Sequence, residues 1–129
     1  MTPRPGLCLV LRAWIELARY DIINAVRGFR GVSERCQATA HSAVCDDAAW
    51  EANVCDAIAL ASSLYIKPVR CLQRSVCAVW LLRQSGIAAR LVIGYRPVPF
   101  HSHAWVEVDG RVVNDSRSYP ARLRVLYTQ

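Results

Sequence analysis

The repeat of apolar residues changes once along this chain, near Gly86, and that change decides what it can fold into. Upstream the repeat is helical. Leu7, Val10, Leu11, Trp14, Leu17, Ala18, Ile22, Ala25, Val26 and Phe29 recur at helical spacing, with Arg12, Glu16, Arg19 and Arg30 on the opposite side. This spacing predicts an amphipathic helix that ends near Gly28 or Gly31 and either packs on the core or docks a partner. Residues 32–44 are weakly periodic and read as a loop or short helix. Asp46 or Asp47 can cap a second helix, running through Ala48, Val54, Ala57, Ile58, Ala61 and Leu64 and stopping before Pro68. A third starts at about Cys71 and ends before Gly86, with Arg83 in its last turn. Downstream the period is two. Residues 90–96, 102–108, 111–117 and 123–127 read as strands, the middle two joined at Asp109-Gly110, and the segment around Val98 as a loop. The expectation is an α+β fold, N-terminal helices followed by an antiparallel sheet.

At 129 residues and 53% hydrophobic, the chain is expected to form a single domain, 1–129, with a helical part at 1–66 and the third helix and sheet at 67–129. Such a domain hides only about two thirds of its unfolded surface, so poor solubility without a partner is expected. The longest apolar stretch, Leu7 to Val26, is broken by Arg12, Glu16, Arg19 and Asp21, which argues against a membrane span. With no secretory signal evident, a cytoplasmic protein is expected.

The six Cys include no CxxC pair and read as mostly reduced and buried. Cys36, Cys45 and Cys55 beside His41 are donors that zinc accepts, yet their spacing is unlike a finger and no metal is expected. The net charge of +6 is uneven, with +3 over residues 1–35, −4 over 36–66 and +7 over 67–129. Lacking Lys-rich runs or interleaved aromatics, the basic regions suit an acidic or extended peptide better than nucleic acid.

The chemistry-bearing residues are Cys71, His103 and Asp115. A thiol attacks as thiolate, and a helix N-terminus favours that anion by about 0.3–1 kcal/mol. Cys71 stands at such a start, whereas Cys77 lies inside the helix and reads as packing. His103 would take the proton and Asp115 would hold the imidazole. Register decides whether they meet. A two-residue turn at Asp109-Gly110 pairs Val108 with Arg111 and His103 with Ser116, leaving Asp115 on the wrong face. A three-residue loop, Val108-Asp109-Gly110, pairs Glu107 with Arg111 and His103 with Asp115, and adds a cross-strand charge pair of about 0.2–1 kcal/mol. The three-residue loop is the expectation.

The runs Cys71-Leu72-Gln73-Arg74-Ser75, Trp80-Leu81-Leu82-Arg83, Gly86 to Gly94, His103-Ala104-Trp105-Val106-Glu107-Val108-Asp109-Gly110 and Val113-Asn114-Asp115 closely resemble the lasso-peptide leader peptidases. These are transglutaminase-like cysteine proteases, also found as the C-terminal half of microcin-maturation proteins. The resemblance covers about Pro68 to Asp115; residues 36–66 depart from it. It implies a papain-like site with Cys71 as nucleophile, His103 as general base and then acid, and Asp115 orienting His103; His101 is not the matching histidine. A backbone N–H at the helix start would stabilise the oxyanion, with Gln73 and Gln84 as side-chain candidates by residue type alone. It also implies the split form, in which a separate leader-binding protein delivers the precursor peptide and an asparagine-synthetase-like cyclase takes the product. No cofactor is expected, and since no GxxxxGK loop occurs, any ATP effect would enter through the cyclase. The alternatives are acyl transfer to an amine, as transglutaminases do, and an inactive peptide-binding scaffold.

Overall fold

The computed structural model describes residues 6–38, 48–97, 100–113 and 124–128. Three helices, α1 (Leu7–Ala38), α2 (Ala48–Ser63) and α3 (Cys71–Gln84), precede four strands, β1 (Ala89–Pro97), β2 (Phe100–Val108), β3 (Arg111–Val112) and β4 (Arg124–Thr128). The strands form one antiparallel sheet in the order β3-β2-β1-β4. The fold is α+β, as the change of period requires. Asp46 and Asp47, expected to cap α2, lie outside the described residues.

The first helix does not end at Gly28. That residue takes φ 67°, ψ −169°, open to glycine without strain, and the chain kinks there and continues as helix to Ala38. The kink is sharp, because Arg35 Nη2 reaches Glu16 Oε2 at 3.1 Å, whereas 19 residues on a straight helix would set them about 28 Å apart. Folding back buries Val32 and Cys36 and shields Glu16, a residue of the nominally polar side that is only 3% exposed.

Helix α3 is the hub. Every residue from Ser75 to Arg83 is buried, and Trp80 lies beneath the Arg35 guanidinium at 4.4 Å. Its end is fixed by a Schellman pattern: Gly86 at φ 85° donates to Arg83 O, and Ile87 donates to Leu82 O, both at 3.0 Å. Buried polar groups tie α3 outward. Gln73 Nε2 donates to Leu17 O of α1 at 3.0 Å, and Arg83 donates to Ala89 O of β1 at 2.9 Å and to Cys36 O.

The β2–β3 hairpin corrects the expected loop. Val108 pairs with Arg111 and Glu107 with Val112, so the turn has two residues. Asp109 and Gly110 both have positive φ, 52° and 74°, the type I′ conformation that Asp-Gly favours and that matches strand twist. The cross-strand Glu107–Arg111 pair does not form. Arg111 instead approaches Glu51 of α2 at 3.5 Å, and Glu107 accepts from Trp105 Nε1 at 3.3 Å.

Candidate active site

The environment of each candidate follows from how α3 meets β2. Hairpin parity comes first. Val113 N donates to Val106 O at 3.0 Å, so the even-numbered residues of β2 direct their carbonyls toward the β3 edge. Ala104 O points the same way, and among the described residues β3 pairs with Glu107 and Val108. Ser75 Oγ donates to Ala104 O at 3.1 Å from a fully buried position. The first turns of α3 are thus tied to β2 at Ala104.

The helix then runs alongside β2 in the same sense. Ser75 sits at Ala104, and Arg83 at Ala89, whose strand partner is Val108. Eight helical residues rise about 12 Å and four strand residues about 13 Å, so the two advance together. Cys71 precedes Ser75 by one turn on the same helix face, about 6 Å back, which sets it level with Ser102 and His103. The head of the helix and the histidine segment are side by side.

Cys71 is half-buried, free of disulfide and packed against the core. Its helix cap, Arg70, is extended and makes no side-chain capping bond; a guanidinium has no acceptor to offer. Arg74 N takes Arg70 O as the first helical bond, so the N–H groups of the turn's opening residues point out from the helix end without a capping side chain. Such an end can receive an anion. His103 is half-buried, lies opposite Gly94 and stacks on Trp105 with ring centroids 6.3 Å apart. Alternation along β2 groups His103 with Trp105 and Glu107, and puts Ala104, Val106 and Val108 on the face covered by the helices. Alternation therefore sets His103 on the face of β2 opposite the one the helices cover, while Cys71 stands at the head of one of those helices.

Asp115 lies outside the described residues, and the three-residue register that would have aligned it with His103 is not the one formed. The described part of β3 ends at Val112, short of that position. The two glutamines considered for the oxyanion are committed elsewhere. Gln73 is buried with its amide on Leu17 O, and Gln84 accepts from Arg12 Nη2 at 3.1 Å at the far end of α3. Ser75 is the residue the sequence reading missed; a serine one turn after Cys71 on a buried face must find a partner, and that is the signal it offered.

Of the other described cysteines, Cys8 is exposed, and Cys36, Cys55 and Cys77 are suppressed by burial. Burial raises the Cys77 thiol well above its usual value, raises Cys36, and raises Cys55 to about 12 with help from Asp56 and Glu51. Cys55 Sγ donates to Val113 O at 3.5 Å, bracing the hairpin. His41 and Cys45 lie outside the described residues, among which no group of three His, Cys, Asp or Glu could hold a metal ion. Among them, no helix is long and apolar enough to cross a membrane.

Comparison with known proteins adds two findings. Over 56 residues, 43% of this chain, the sequence is 45% identical to the microcin J25-processing protein McjB of Escherichia coli, and the match spans 27% of that protein's length. No solved structure matches significantly. The family model of the transglutaminase-like superfamily matches residues 9–128, from the first helix to the last strand, and the chain belongs to that superfamily.

Proposed function

We propose that this chain is a cysteine peptidase that removes the leader from a lasso-peptide precursor. The observation that carries the reading is the seating of the α3 head, with Cys71, against the β2 segment that holds His103 through the buried Ser75–Ala104 bond. Family membership and the similarity to a microcin-processing protein support it.

In this reading the Cys71 sulfur, its proton transferred to His103, attacks the carbonyl of the last leader residue. The oxyanion is received by backbone N–H groups at the start of α3. His103 protonates the departing core amine as the C–N bond breaks. Water, deprotonated by the same imidazole, then cleaves the thioester and releases the leader as a free acid. The resemblance gives Asp115 the role of orienting His103, although the two-residue turn does not pair the two. A separate leader-binding protein would present the precursor, and an asparagine-synthetase-like cyclase would take the freed core; ATP would act only there.

The test is mass spectrometry of a precursor incubated with this chain and the leader-binding protein. The expected leader fragment carries one added water, and Cys71→Ala and His103→Ala do not release it. A leader fragment carrying an amine in place of water would instead establish acyl transfer. Cleavage that survives Cys71→Ala would overturn both enzymatic readings and leave a scaffold.

A further inference from the structure

Helix α1 carries an apolar seam that the fold leaves uncovered. Leu11, Ile15, Ala18, Ile22 and Ala25 recur at alternating intervals of four and three, the a/d repeat of a helix that packs against another helix. The side of α1 turned to the core is different, formed by Leu9, Val10, Ala13, Leu17 and Tyr20. Leu11 is 57% and Ile22 62% exposed, so the seam contributes little to the core.

One flank of the seam is walled by the protein itself. Trp14 packs on Tyr65 with ring centroids 5.3 Å apart, and Asp21 binds Lys67 Nζ at 2.7 Å and accepts from Tyr65 Oη at 2.5 Å. Between α1 and this wall lies a cleft of about 510 Å³, with Ile66, 84% exposed, on its rim. The other flank bears Arg12 and Arg19 at the positions where packed helices exchange charges; Arg12 also donates to Gln84 Oε1 at 3.1 Å, and Arg19, half-exposed, pairs with Glu16 at 3.0 Å. A second copy of the chain does not suit this face: antiparallel pairing sets the arginine flank against itself, and parallel pairing sets arginine against Trp14. The complement is apolar at heptad spacing and acidic along one side.

We propose that this face is a helix-in-groove docking site for an amphipathic helix of a partner protein, with acidic residues meeting Arg12 and Arg19. The site does not depend on the peptidase reading, and its test involves no cleavage. The probe is a pair of designed, tryptophan-free helical peptides of three heptads with Leu at a and d, one flanked by Glu and the other by Lys. Binding to the full chain is followed by Trp fluorescence and, at low salt, by calorimetry. The Glu-flanked peptide is expected to bind at least tenfold tighter than the Lys-flanked one. Ile22→Asp, whose helicity should be unchanged, weakens binding at least tenfold, and the pair Arg12→Glu with Arg19→Gln removes the preference. Equal binding of both peptides, or binding indifferent to Ile22→Asp, would overturn the site. Concentration-dependent dimerisation abolished by Ile22→Asp would assign the face to a second copy. Association with anionic vesicles abolished by the same substitution, without peptide binding, would assign it to a lipid surface.

Discussion

Helices α3 and α1 are both rich in periodic apolar residues, and the structure treats them oppositely. From Ser75 to Arg83 the third helix is buried all round, between α1, α2 and the sheet. The first helix buries one face and leaves a second apolar face in solvent. A helix enclosed on every side is a fixed platform, and a nucleophile at its head inherits that fixity. A helix with a spare apolar face has contacts to offer that folding does not use. The proposed site and the proposed partner surface thus differ in how completely each helix is covered.

Substitutions sharpen this contrast. The largest effect is expected at the head of α3: Cys71→Ala lowers precursor cleavage more than about 10³-fold, with little change in the denaturation midpoint. Inside the same helix the effect turns to stability. Trp80→Ala should cost about 3–5 kcal/mol by urea unfolding, because the ring is fully buried and the Arg35 guanidinium rests on it. Ser75→Ala leaves Ala104 O buried without its donor, a loss of about 1–3 kcal/mol. It should also reduce kcat for cleavage while the Cys71 thiol remains present, an outcome that a purely structural serine would not give once stability is restored by lower temperature. On the uncovered face of α1, Ile22→Asp should change stability by less than about 0.5 kcal/mol. A large destabilisation there would erase the distinction between the two helices.

The sequence made α3 legible because every signal agreed: the apolar period, Arg83 near the end and Gly86 as the left-handed terminator. The same holds for the antiparallel pairing of β1 with β2, whose alternation is unbroken. What misled was local reasoning about long-range partners. The three-residue loop gained its appeal from a Glu107–Arg111 pair of a few tenths of a kcal/mol. Arg111 had a better partner in Glu51, 60 residues away and buried, and Asp-Gly formed the turn its own backbone prefers. Gly28 read as a stop because nothing nearby shows that Val32, Arg35 and Cys36 fold back onto the core. Of the site, Cys71 was visible from its place at a helix start, and His103 from its strand and the motif around it. Ser75, which joins the two segments, was not, since its acceptor, Ala104 O, lies 29 residues further along the chain.

The central claim is that Cys71 is set apart from its fellow thiols by where it stands, and site-resolved alkylation measures that directly. At neutral pH, with burial holding Cys36, Cys55 and Cys77 protonated, iodoacetamide should label Cys71 faster than free cysteine and far faster than those three, and His103→Ala should slow it. Labelling of Cys71 no faster than free cysteine, or unaffected by loss of the imidazole, would contradict the account.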